Sequence, residues 1–250
     1  DGEGVGVGMY DPTFLLPAIA RALKIGSATD VESAVSGGAL AYSVMATAAQ
    51  SLELRKLGYQ VLEEALVHIV PADDAPLSSG GKGVGRDWSG LTVLFKALRD
   101  SVSSPLERLP VAVVAFVSEA IAVLLRPAHP LFQRITKFLL HKPFLDHAEV
   151  PMLYQLLSSG AESWRADRLF LLRILRAPSL TDADLGVLRK RHVPSLLLSL
   201  LESLSTDQQS RTAVLSALAA IADTRAGAVY LVTHGSALAS LRILAATAPP

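Results

Sequence analysis

Residues 110–127 read PVAVVAFVSEAIAVLLRP. Between 111 and 125 only Ser118 and Glu119 are polar, and the other positions are Val, Ala, Leu, Ile and Phe. The run is shorter than the roughly 20 residues that a membrane span needs. It also carries an acid, follows Pro110 and closes on Arg126-Pro127. A proline at the first turn of a helix loses little, because the first amides have no partner within the helix. The stretch therefore predicts a helix that is apolar on every side. Such a helix must be buried on every side, so the fold must surround it with other elements.

The flanking sequence says what those elements are. Leu and Ala dominate, alternating β-branched runs are nearly missing, and apolar residues recur at helical spacing. The pattern predicts helices near 12–24, 31–48, 51–70, 88–103, 110–125, 129–141, 149–158, 163–176, 182–191, 194–204, 207–223, 225–234 and 236–247. Pro12, Pro110, Pro130, Pro151 and Pro194 each fall near the first turn of one of them. Thr181 and Asp184 have the spacing of a capping box, with aspartate in place of glutamate. Short connections make successive helices antiparallel neighbours. The expected fold is all-α, an armadillo/HEAT-like α-solenoid in which antiparallel helix pairs form a right-handed stack. A compact bundle is the alternative. Residues 1–9 read as the flexible edge of a longer protein, and 10–250 as one helical-repeat domain. Residues 71–87, rich in Gly, Ser, Pro and Asp, read as a disordered loop within it.

Composition narrows the function. Lys and Arg together number 23, as do Asp and Glu, so no global field draws the chain to nucleic acid or anionic lipid. Cysteine is absent, which excludes disulfides and thiolate zinc sites. Mean hydropathy is +0.39, but no stretch has the length of a span, and no basic start precedes an apolar core as in a signal peptide. Gly80-Gly81-Lys82-Gly83-Val84-Gly85 lacks the Ser or Thr after the lysine and the preceding strand of a phosphate loop. His141, Asp146, His147 and Glu149 cluster in sequence, but Pro143 keeps them off one helical face, so no metal is expected. No nucleophile elbow is present. The reading is non-enzymatic, with no catalytic residue and no cofactor.

The arginines carry more information. At about 100° per residue, Arg168 falls within the arc of Trp164, Leu171 and Leu175, and Arg55 lies between Leu62, Leu66 and Ile69. Both are expected to be buried and paired with a carboxylate, because an unpaired buried charge is costly. Asp146 is the expected partner of Arg168. Arg173 and Arg176 fall to one side of the same helix, and Arg189, Lys190 and Arg191 crowd a helix C-terminus, where cations complement the dipole. These five are the candidates for contact with RNA phosphates or with a partner. A solvated face is the plainer reading of the same residues, and no interleaved aromatics point to base stacking.

Several motifs also follow one another in a recognisable order. They are Tyr10-Asp11-Pro12-Thr13-Phe14-Leu15-Leu16-Pro17, His129-Pro130-Leu131-Phe132, Lys137-Phe138-Leu139-Leu140 and Val150-Pro151-Met152. After them come Arg168-Leu169-Phe170-Leu171-Leu172-Arg173-Ile174-Leu175 and Arg189-Lys190-Arg191-His192-Val193. In this succession the chain, from Tyr10 to Leu204, resembles the C-terminal domain of the nucleolar pre-ribosomal-associated protein 1 family. The resemblance implies part of a very long helical-repeat protein of the nucleus and nucleolus, a non-catalytic scaffold in early large-subunit assembly and ribosomal RNA processing. The partners it implies are early assembly factors, a DEAD-box helicase among them, and pre-ribosomal RNA. It implies no membrane and no small-molecule substrate. Phe170 stands where the family is expected to carry tryptophan, 71–87 reads as an insertion, and the likeness fades past Leu204. A generic armadillo/HEAT-type adaptor that binds only protein is the alternative function, and a helical enzyme a third.

Overall fold

The run at 110–127 does form the centre of an all-helical molecule. A computed structural model describes residues 11–26, 28–69, 88–160, 163–176, 180–203, 207–234, 237–240 and 242. The first helices are α1 (Pro12–Ile25), α2 (Ala28–Ser36), α3 (Ala39–Ala46), α4 (Leu52–Ile69), α5 (Ser89–Arg99) and α6 (Val111–Leu124). They are followed by α7 (Phe132–His141), α8 (Leu153–Leu157), α9 (Trp164–Leu175) and α10 (Asp182–Lys190). The last are α11 (Val193–Glu202), α12 (Gln208–Ala222) and α13 (Arg225–Thr233). Residues 237–240 are helical as well, and no strand occurs among the described residues. The expected loop at 71–87 and the expected edge at 1–9 lie outside the described residues.

Eleven side chains of α6 are buried, including Val113, Phe116, Val117 and Ile121. α3 covers one side of it and α9 another, while α5 and α7 close the rest. Contacts pass in succession from α3 to α6 to α9 to α12, taking every third helix, with α1 and α4 leading in and α11 and α13 following. Phe116 of α6 sits edge-on to Phe138 of α7 (5.6 Å between centroids) and to Phe170 of α9 (6.3 Å). α3 and α4 approach closely at Gly58, where a Cβ would stand 2.9 Å from the Ser43 carbonyl oxygen. No larger residue fits that crossing without moving a backbone.

The helix starts follow local chemistry. Asp11 accepts the Thr13 amide at 2.8 Å before α1, with Pro12 in the first turn. Asp207 and Thr224 cap α12 and α13 in the same way. Thr181 and Asp184 form the reciprocal capping box of α10.

Three expected elements come out differently. The single helix expected at 31–48 is two, because Gly38 turns into the left-handed region (φ 85°) and reverses the chain between α2 and α3. The helix expected at 149–158 shrinks to one turn and a half, since Met152 takes φ 58° and Pro151 lies in the preceding turn. The helix expected at 88–103 stops at Arg99, and the chain from 100 to 110 becomes a pinned loop. Arg55 of α4 donates to the Leu106 carbonyl at 3.1 Å, and Tyr59 to the Glu107 carbonyl at 2.8 Å. Burial, helped by the Glu107 charge and opposed by Arg55, pushes the Tyr59 phenol up to about 12.

Candidate binding surface

The five candidate cations do not form one patch. Arg189 lies at the C-terminal end of α10 with its guanidinium 4.6 Å from the ring centroid of Tyr230 on α13. The Tyr230 ring also stacks on His234 at 5.1 Å and 9°. Lys190 is exposed and has no partner among the described residues. Arg191 turns the opposite way, to Glu149 Oε1 at 3.1 Å and the Ala148 carbonyl at 3.3 Å, and so ties the segment before α8 to the end of α10. Arg173 donates to Glu119 of α6 at 2.8 Å. Arg176 ends α9, exposed and unpaired among the described residues. α10 packs on α11 and α13, whereas α9 packs on α6, α8 and α12. What stays available near α13 is Arg189 with its Tyr230–His234 stack, with Lys190 next to it in sequence, while Arg176 stands free at the end of α9. Arg225 and Asp182 border the same hollow, of about 410 Å³.

The pairings expected for the structural arginines also change. Arg55 is half-buried and bonds no carboxylate among the described residues. Its guanidinium serves backbone carbonyls instead, those of Ala49 and Gln50 at 2.9 Å each besides Leu106. Arg168 does not meet Asp146, whose carboxylate accepts the Ala148 amide at 2.8 Å in a local turn. Arg168 lies over Trp164 at 4.7 Å, and its Nε and Nη1 are shut from solvent with no acceptor among the described residues. The single-arc wheel failed here because α9 is covered from several sides. Two orphaned donors cost more than their removal would. Arg168→Met should therefore leave stability unchanged or raise it by about 1 kcal/mol, read as thermal melting. A loss of more than about 2 kcal/mol would mean that the guanidinium has an acceptor after all.

Sequence reasoning missed the two buried ion pairs. Asp167 on α9, fully buried, takes Arg134 of α7. Asp184, 4% exposed, takes Arg108 at 2.7 Å and also the Val111 amide at 2.9 Å. The capping box was a visible signal for Asp184, but nothing in sequence tells that its second oxygen faces the start of α6. The His141, Asp146, His147 and Glu149 cluster is dispersed over separate partners: the Lys137 carbonyl, the Ala148 amide, Glu107, and the pair Lys142 and Arg191. Among the described residues no group of three or more ligating side chains converges, and no single helix is long and apolar enough to cross a membrane. His129, before α7, is held below its usual value by burial and by Arg173 and Arg126.

With this geometry in view, comparison with known proteins is decisive. The family model described as nucleolar pre-ribosomal-associated protein 1 matches residues 40–240. The chain belongs to that family. The mouse protein of that name is 24% identical over 230 residues, covering 92% of the chain, and the human one is 22% identical over 231 residues, again 92%. The chain spans about a tenth of the length of these relatives, 10% in each case. No solved structure matches. The family model and the alignments to the relatives differ in extent, the latter covering 92% of the chain. The family model starts at residue 40, after the Tyr10 to Pro17 motif, and runs on through α12 and α13, where the likeness was expected to fade.

Proposed function

We propose that the chain is a segment of a non-catalytic scaffold for early assembly of the large ribosomal subunit in the nucleolus. The family match over residues 40–240 carries this reading. The relatives' name couples the nucleolus with pre-ribosomes, and it names no reaction. Under the same reading the helices form an armadillo/HEAT-like α-solenoid. The succession α3, α6, α9, α12 supports a stack with three helices per unit, which brings every third helix into contact, rather than the helix pairs expected from the short connections. The proposed partners are early assembly factors, a DEAD-box helicase among them, and pre-ribosomal RNA. With net charge zero, RNA contact must be local, and Arg189 and Lys190 beside the Tyr230–His234 stack are the proposed place for it.

The test is gradient sedimentation of the full-length protein. Co-migration with large-subunit precursors is the expected result. Arg189→Glu combined with Lys190→Glu should reduce it while circular dichroism stays unchanged. Arg191 is left out of that variant, since its ion pair to Glu149 would confuse binding with folding. If the wild type co-migrates with no ribosomal precursor, the assembly reading falls and a protein-only adaptor takes its place.

A further inference from the structure

The hollow of about 410 Å³ between α10 and α13 carries both signs of charge. Asp182, Arg189 and Arg225 border it, all three are exposed, and none is ion-paired among the described residues. Asp182 and Arg189 stand two turns apart on one face of α10, about 10 Å along its axis, which keeps them from pairing with each other. The capping box of α10 is made by Thr181 and Asp184, so the Asp182 carboxylate is not committed to it. On the other wall Arg225, Val229 and Tyr230 recur at helical spacing along α13, and His234 follows at its C-cap. His234 lies parallel to the Tyr230 ring and is exposed beyond that contact, so an aromatic face stays open at the hollow. The Arg189 guanidinium lies over Tyr230, and no carboxylate occupies its N–H groups among the described residues. The site thus holds a stacking face, an acceptor and two sets of charged donors, all accessible.

We infer that this hollow takes one unpaired guanosine of a single-stranded RNA. The base stacks on the open His234 face, its Watson–Crick edge meets Asp182, and Arg189 and Arg225 take the adjoining phosphates. A carboxylate only accepts hydrogen bonds. Of the four bases, guanine alone sets two N–H donors side by side on that edge, its N1–H and its N2 amine, and these match the two carboxylate oxygens. Adenine, cytosine and uracil each place an acceptor beside the donor, and that acceptor would face a carboxylate oxygen. Guanidiniums suit the phosphates, and a parallel ring pair suits the base. An acidic peptide fits less well, because Asp182 repels it and the ring face gives it nothing. The inference rests on reading the chain as a scaffold that contacts RNA at this place, and adds which base is taken.

The experiment is fluorescence anisotropy of the full chain at low salt with a labelled oligouridine of about nine nucleotides. Its central base is guanine, hypoxanthine, adenine, cytosine or uracil. Guanine should bind about tenfold tighter than adenine, cytosine or uracil, the scale of one good bidentate pair. Hypoxanthine, which lacks the N2 amine, should fall between. Asp182→Asn should cut the guanine preference to about twofold or less, because an amide opposes one of the two donors with a donor of its own, while circular dichroism stays unchanged. Arg225→Gln should weaken every oligonucleotide by about threefold and keep the preference. His234→Ala should weaken every one by about tenfold, the stacking contribution of one base. Lys56→Glu, an exposed charge on α4, should change nothing. Absence of binding, equal binding of all five bases, or a preference that survives Asp182→Asn overturns the inference. Polyglutamate should not displace the RNA, and displacement would overturn it in favour of a protein partner. No arm uses ribosomal particles, so the base preference can fail while co-migration holds, and the reverse.

Discussion

Replacing Asp184 by alanine should cost the domain about 3–5 kcal/mol, the range for breaking a buried charge pair, measured by denaturant titration. One carboxylate serves four donors. Arg108 and the Val111 amide reach it from the start of α6, and the Thr181 hydroxyl (2.6 Å) and amide (2.9 Å) reach it from the cap of α10. Removing it leaves the Arg108 guanidinium, whose Nε already has no acceptor among the described residues, facing a void. It also leaves the first amide of α6 without an acceptor. The loss depends on pH in a defined sense. Burial raises the Asp184 pKa, but the bonds from Arg108, Thr181 and the Val111 amide outweigh it, so the folded value lies below the ordinary 3.8. A depressed carboxyl stabilises fully above its unfolded pKa and loses that stabilisation as pH falls through the folded one. The gap between wild type and Asp184→Asn should thus be constant near neutrality and close on acidification below 3.8. A gap that widened in acid would exclude this account.

Phe116→Ala should be about as damaging, at about 3–5 kcal/mol for a fully buried ring. Phe116 has no exposed surface and presents its ring to two others, Phe138 and Phe170, on helices at either side of α6. Truncation leaves a cavity that three separate helices would have to close, and their backbones are held by other contacts. A loss below about 1.5 kcal/mol would show that α7 and α9 can collapse onto α6. Phe116→Leu, which keeps most of the volume, should recover more than half of the loss.

The fold class was legible because helical periodicity, proline at first turns and the Thr181–Asp184 box are local signals. α6 was legible for another reason, since an apolar surface all round leaves burial as its only outcome. The break at Gly37-Gly38 was missed because apolar spacing continues across it, although the Gly-Gly pair was itself a turn signal, and the left-handed φ of Gly38 makes the turn. The site was much less legible. A helical wheel places a cation relative to its own helix, not relative to acids 33 or 76 positions away, which are the separations of Arg134–Asp167 and Arg108–Asp184. Five cations grouped by sequence were therefore divided by the fold into ion pairs, a ring stack and two free side chains.

The burial of α6 has a further consequence at synthesis. Its sides are closed by α3 and α5, which precede it, and by α7 and α9, which follow. As the chain leaves the ribosome, Phe116 and its apolar neighbours must wait for about 50 more residues before α9 arrives, which at ordinary elongation rates is several seconds. For that interval the nascent chain carries a sticky strip that no local signal can hide. Expression fragments ending between α6 and α9 should accordingly aggregate or hold chaperones, whereas those ending beyond α9 should stay dispersed.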